Sequence, residues 1–245
     1  MGTLKINKSS SLVTARKVID LKIDAFRILK RTIDKNFDYA VNAIVNCQSK
    51  IILCGVGKSG LIAAKIAATM SSVGCPAFSL SANDCLHGDL GSITKKDILI
   101  LISNSGKSEE IIPIIKFANR NKIKLIGIVS KKSSVLYKAS DIKILLPEVK
   151  ESGLGIVPTS STSIQLAAGD ALAIASLNKK KFSKYDFSRL HPGGNLGKQL
   201  KTVGDIMSMG IKIPFINENK NMYEAIKIIT KKKLGVLIAQ NKNKF

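Results

Sequence analysis

Five short apolar runs constrain the fold of this chain most: KIILC at 50–54, AFSL at 77–80, DILILI at 97–102, KLIGIV at 124–129 and IKILL at 142–146. Each has the length and β-rich composition of a strand, and the stretches between and after them, 59–72, 108–120, 133–139 and 161–177, read as helices. Strands alternating with helices predict βαβ units and a mostly parallel, five-stranded sheet covered on both faces, a three-layer α/β/α arrangement. Right-handed crossovers bring the strand carboxyl ends to one edge, where open α/β sheets bind ligands. Ahead of the sheet, Val18, Leu21, Phe26, Leu29 and Ile33 recur near helical spacing and predict an amphipathic helix over 13–34, followed by a shorter one over 38–47. Leu177–Lys181 reads as a surface connection. Residues 203–245, with VGDIMSMG and then MYEAIKIITKKKLGVLIAQ, read as a separate helix–strand piece, so the chain divides into 1–202 and 203–245. No internal repeat or low-complexity tail is visible.

The 245 residues suffice for one large domain, or one domain plus a fragment. With 45% hydrophobic residues and no Trp, the core must be large and mainly aliphatic. The formal net charge of +22 raises the question of nucleic acid. The lysines are scattered, however, and the runs 179–181 and 231–233 carry no interleaved aromatics. The balance favours a Lys-rich surface that attracts phosphorylated small molecules, with no nucleic-acid partner expected. Cys47, Cys54, Cys75 and Cys85 form no C-x-x-C pair, so no zinc or redox motif is expected, and Cys54 belongs to an apolar strand as a buried thiol. The first residues lack an apolar signal core, and no apolar run approaches the roughly 18 residues of a membrane span. These features predict a soluble, cytoplasmic protein with no membrane partner.

The loops after the strands carry the chemistry. Gly55-Val56-Gly57-Lys58-Ser59-Gly60 follows the first strand and opens a helix, formally matching G-x-G-x-x-G. A dinucleotide fold would place an acidic residue near the end of the next strand, where Ser79 and Ser81 stand and Asp84 lies beyond; a P-loop would need Gly at position 52, which is Ile52. What remains is a backbone-exposing turn at a helix N-terminus beside Lys58, suited to a phosphate or an anionic intermediate, or simply a tight turn with a solvent lysine. Ser103-Asn104-Ser105-Gly106-Lys107-Ser108 follows DILILI, and Thr159-Ser160-Ser161-Thr162-Ser163 opens the last helix. Ordinary capping accounts for one or two hydroxyls per helix; five in a row point further. The first segment reads as a phosphate cradle, and the second as a holder of phosphate or sugar hydroxyls.

His87 and His191, the two histidines, each lie in a glycine-flanked loop context and suit proton transfer near neutral pH. Glu109 and Glu110 follow the Ser103–Ser108 segment, where a helix dipole favours ionised carboxylates and only one of the pair faces a pocket. Glu151 follows the last strand on the same edge. Either position also fits a plain surface charge.

GVGKSG, HGDLG, ISNSGKSEEI, PTSST, GDALA and HPGGNLGK, in this order, resemble the arabinose-5-phosphate isomerases of the sugar isomerase (SIS) domain family over about residues 15–205. The resemblance implies a flavodoxin-like SIS domain that interconverts D-arabinose 5-phosphate and D-ribulose 5-phosphate, supplying the precursor of Kdo, a lipopolysaccharide sugar. It implies no redox cofactor and no catalytic metal. Four catalytic positions follow from the matching motifs: Lys58, Glu110 (selected over Glu109 by its place before Ile111), Glu151 and His191. The implied substrate-binding set is Gly57, Ser59, Gly74, Cys75, His87, Ser103, Asn104, Ser105, Ser108, Thr159, Ser160, Ser161 and Thr162. It also implies a homo-oligomer, a tetramer, with sites at subunit contacts. Aldose–ketose isomerisation through an enediol needs a carbon base, groups that shuttle hydroxyl protons, and charge stabilisation, and these residues supply all three.

The chain departs from the family pattern at three points. Ser81 stands where a metal-binding His is common. The loop after Glu151 is about one residue shorter. Residues 203–245 resemble only the start of the first of two CBS modules, so nucleotide-responsive regulation is not expected. The competing readings are a non-catalytic sugar-phosphate-binding regulatory module, an isomerase for another phosphosugar, and a dinucleotide enzyme.

Overall fold

The computed structural model describes residues 10–191 and 201–241. Two compact units divide after His191. In the first, five strands, β1 (Ile51–Gly55), β2 (Ala77–Ser81), β3 (Ile98–Ser103), β4 (Lys124–Val129) and β5 (Ile142–Leu145), form a wholly parallel sheet in the order 2-1-3-4-5. The alternation rule therefore gave the right class, and the order is the flavodoxin-like one. It reverses between β1 and β3, which opens a crevice at their carboxyl ends.

Both faces of the central strands are apolar, and alternate residues pack on opposite helical layers. Ile51, Leu53, Ile98, Ile100 and Ile102 pack with α1 (Ser11–Thr32), α2 (Lys35–Val45), α3 (Lys58–Ser72) and α7 (Ser160–Lys179). Ile52, Cys54, Leu99 and Leu101 pack with α4 (Ala82–Cys85), α5 (Ile111–Arg120) and α6 (Val135–Ala139). Cys54 is buried as expected, and its contact with the Cys85 thiol, together with burial, pushes its pKa up. The edge strand β2 alternates between half-buried and exposed, as an edge must.

Two boundaries differ instructively from the sequence reading. Helix α5 begins at Ile111, not Ser108. Pro113 has no N–H, and a helix starting at 108 would need that N–H for an i→i−4 bond; starting at Ile111 puts Pro113 among the orphan donors of the first turn. The expected surface connection at 177–181 is in part α7 itself, which runs to Lys179 because Leu177 still packs on the core. A further helix, α8 (Lys184–Leu190), starts on a Ser183–Asp186 capping box that was readable as S-x-x-D.

Helices α3 and α7 lie side by side with both N-termini at the carboxyl edge. At Gly169 they approach so closely that an added Cβ would sit 2.1 Å from Ile66 Cδ1, and Lys65 Nζ bridges both Asp170 oxygens at 2.6 and 2.7 Å. At the amino edge, buried Asp97 ties the ends of β1 and β3 together. It accepts from Thr94 N at 2.6 Å and Lys50 N at 3.3 Å and pairs with Lys50 Nζ. Burial raises its pKa, but hydrogen bonds from Ser49, Thr94 and Lys50 prevail and bring it down to about 2.

The second unit contains a parallel pair, β6 (Phe215–Asn217) with β7 (Ile238–Gln240), joined through the helix Met222–Lys232. This is one βαβ turn. The expected boundary at 202/203 falls inside this unit.

Candidate active site

The first turn of the site is built on glycine. A Cβ at Gly55 would meet the Ser59 carbonyl carbon at 2.8 Å and Ile102 O at 2.9 Å, and one at Gly60 would meet Gly55 O at 2.7 Å. Gly57, at φ +57°, caps α3 in a conformation that other residues rarely take. The tight turn leaves Lys58 exposed at the first position of α3, with no ion-pair partner among the described residues.

Glu151 lies across from it. Its Oε2 accepts from Thr159 N and Ser160 N, both at 2.8 Å, from Thr159 Oγ1 at 3.1 Å and from Ser161 N at 3.4 Å; its Oε1 has one long contact, 3.3 Å from Ser161 N. This carboxylate therefore caps α7 from eight to ten residues away. Burial raises its pKa, but hydrogen bonds from Ser161, Thr159 and Ser160 outweigh burial and lower it, so Glu151 is ionised at neutral pH. The short loop that follows turns through three left-handed residues, Gly153, Leu154 and Gly155, and is closed by a Ser152–Val157 bridge. Leu154, without glycine's freedom, sits there fully exposed.

Lys58, Ser59, Asn104, Glu151, Ser161 and Thr162 line one cleft of about 290 Å³, together with Val56, Ile156, Pro158 and Gln165. The cleft lies at the β1/β3 carboxyl ends, where the topology demands it. Gln165, unmarked in the sequence reading, is a buried α7 residue whose Oε1 accepts from Ser59 Oγ at 3.1 Å. Its only sequence signal is polarity on a face otherwise made of Ile164, Ala168 and Leu172.

The Ser103–Ser108 segment holds itself with neutral hydroxyls. Ser103 Oγ accepts from Gly106 N at 3.0 Å, Ser105 Oγ from Lys107 N at 3.3 Å, and Asn104 Oδ1 from Ser130 Oγ at 2.8 Å. The N–H groups of Ser105, Ser108, Glu109 and Glu110 donate to nothing among the described residues. Glu109 and Glu110 occupy the turn before α5, Glu110 half-buried and Glu109 exposed. His87 is exposed, six residues past the end of β2 on the same edge.

Three expected site residues lie elsewhere within the chain. Gly74 and Cys75 precede β2 at the amino edge, level with the start of β1, where Pro76 O accepts from Ile51 N. Gly74 packs under the Phe182 ring and Cys75 is buried, so neither shares the cleft. His191 ends α8, donating from Nδ1 to Phe187 O at 2.8 Å and stacking on the Phe187 ring at 3.9 Å; it does not line the cleft of its own chain. Pro192–Lys198 of the HPGGNLGK motif lie outside the described residues. Thr159, Ser160 and Ser161 have their N–H groups taken by Glu151, so their backbone offers no cradle for phosphate. No cluster of potential metal ligands occurs among the described residues, and no described helix is long and apolar enough to cross a membrane.

A parallel 2-1-3-4-5 sheet with a lysine, a helix-capping glutamate and hydroxyl loops at its switch point defines a sugar-phosphate-type site, and comparison with known proteins agrees: the SIS domain pattern matches residues 44–175. This chain belongs to the SIS domain family. It is 40% identical over 225 residues to the arabinose 5-phosphate isomerase KdsD of Yersinia pestis, covering 91% of this chain and 69% of that one. It is 41% identical over 244 residues to the KdsD of Francisella tularensis, covering 97% and 75%. Among solved structures, Escherichia coli CFT073 c3406 in complex with arabinose 5-phosphate superposes with a TM-score of 0.73 at 33% identity, covering 76% of this chain and all of that one.

Proposed function

We infer that this chain is an arabinose-5-phosphate isomerase, interconverting D-arabinose 5-phosphate and D-ribulose 5-phosphate through an enediol and so feeding Kdo and lipopolysaccharide synthesis. The observation that carries this reading is the cleft that sets Lys58 opposite an ionised, α7-anchored Glu151, in a chain about 40% identical to named isomerases of this reaction. The substrate phosphate sits on the free N–H groups of the Ser105–Glu110 turn, aided by Ser108. Glu151 keeps acceptor capacity on Oε1 and takes the proton from carbon 2 of the aldose, returning it to carbon 1. Lys58 stabilises the enediolate oxygen that this creates. Glu110, at the rim, shuttles the hydroxyl proton, and His87 lines the sugar end.

The homo-oligomer expected of the family, a tetramer, completes the site by bringing in His191 of a second copy for ring opening. Exposed apolar side chains on α1 (Leu12, Val13, Ile19) and on the Glu151 loop (Leu154, Ile156) support such an assembly. The reading places the enzyme in the cytoplasm, with a sugar phosphate as its only small-molecule partner.

A coupled isomerase assay over a panel of pentose and hexose phosphates tests the assignment, with D-arabinose 5-phosphate expected as the best aldose. Binding of the sugar phosphate without turnover would favour a regulatory module instead. Solvent deuterium incorporation separates the glutamates: E151Q should abolish it, while E110Q should slow turnover and retain it.

A further inference from the structure

One buried polar residue in the cleft has only part of its hydrogen-bonding capacity used. Gln165 is 1% exposed, and its Oε1 is satisfied by Ser59. Its Nε2 carries two more donors, and these have no partner among the described residues. These donors border the cleft, and an apolar residue of similar size would join α3 to α7 without presenting them there. The neighbouring positions on the buried face of α7, Ile164, Ala168 and Leu172, are apolar. The amide is nevertheless one of the groups lining the cleft beside Lys58 and Glu151.

The charge pattern selects what such a donor meets. Phosphate has the open N–H groups of the Ser105–Glu110 turn to bind. The α7 N-terminus already holds the Glu151 carboxylate, which repels a second anion there. A neutral donor one turn into α7 suits a neutral acceptor. We propose that the Gln165 side-chain amide donates to a hydroxyl of the bound sugar chain, making Gln165 a specificity-determining residue, and that its bond to Ser59 ties this contact to the turn that carries Lys58. The proposal deepens the isomerase reading and rests on it.

The test uses the full-length protein, with D-arabinose 5-phosphate, analogues of it each lacking one hydroxyl, and inorganic phosphate as a competitive inhibitor. Two neutral variants remove the donors: Q165L, and Q165M, which keeps the length of the side chain if the branched variant fails to fold. Both should lower kcat/KM by at least about tenfold, the usual effect of a lost directional contact to substrate. The inhibition constant of inorganic phosphate should stay within about twofold. One deoxy analogue should be slowed in the wild type and slowed no further by the substitution. A purely structural role would instead lower thermal stability and penalise every analogue alike, which would overturn the proposal. Unchanged kcat/KM, or phosphate inhibition weakened in step with turnover, would overturn it too. Wild-type protein inactive on every aldose phosphate would remove the isomerase reading, and the hydroxyl assignment with it; active wild type with unaffected variants would remove the assignment alone.

Discussion

The N-terminus of α7 is closed by a carboxylate of its own chain, whereas the turn ahead of α5 is closed by neutral hydroxyls and leaves its outer N–H groups open. Both segments are rich in serine, both follow a strand carboxyl end, and both border the same crevice. At α7 the positive end of the helix dipole is matched internally by Glu151. At Ser103–Ser108 the side chains fold inward onto Gly106, Lys107 and Ser130. The cleft thereby borders one segment with open N–H groups and one helix end already matched by a carboxylate.

Removing Glu151 breaks the contrast outright. E151A should cut kcat/KM by about a hundredfold or more as a base is lost, and should destabilise the fold by about 1–2 kcal/mol as a helix cap is lost; steady-state kinetics and chemical denaturation read the two effects separately. The next largest effect comes from the other side. Gly106 holds φ +62°, and a Cβ there would lie 2.4 Å from Ser134 Oγ. G106A should cost about 2 kcal/mol and raise the inhibition constant of inorganic phosphate several-fold, with a smaller change in solvent deuterium exchange per turnover.

Acid sharpens the comparison. The pKa of Glu151 is lowered by folding, so its stabilising contribution is present above the ordinary carboxylate range and is lost as pH falls through the lowered value. Hydrogen-exchange protection factors at Thr159–Ser161 should fall on acidification before those at Gly106 and Lys107, which neutral hydroxyls hold. Asp97, whose pKa is brought down to about 2, gives a second carboxylate tie to follow in the same titration, at the amino edge. The smallest effect is expected at Ser105, whose hydroxyl accepts one bond of 3.3 Å. S105A should change stability by about 0.5 kcal/mol and phosphate inhibition by less than about twofold.

The strands were legible because a sheet buried on both faces needs near-continuous apolar runs, and the switch-point crevice followed from their alternation with helices. Lys58 and Glu151 were legible through motifs that matched a family. The unequal fates of the two serine segments were not, because nothing local to Thr159–Thr162 announces that Glu151 reaches back to them across a loop with three left-handed residues. Gln165 was hidden for a similar reason: a single polar residue within a helix acquires meaning only when α3 supplies Ser59 and no described residue supplies a partner for Nε2. Gly74 and Cys75 came from the family resemblance alone, and the structure places them at the amino edge, outside the Lys58 cleft of their own chain. His191 sits at the close of α8, stacked on Phe187 and outside the Lys58 cleft of its own chain.

Gly169 lies nine residues into α7 from Ser160, about 14 Å down the helix, and Ile66 lies a matching distance down α3 from Lys58. The missing methyl group there works as a gauge block that sets how far apart the lysine-bearing and carboxylate-bearing helix ends stand. A larger side chain would act like a shim driven between two rulers, opening their tips. Mutational scanning should therefore mark Gly169 as sensitive to activity as well as to folding, although no ligand atom comes near it.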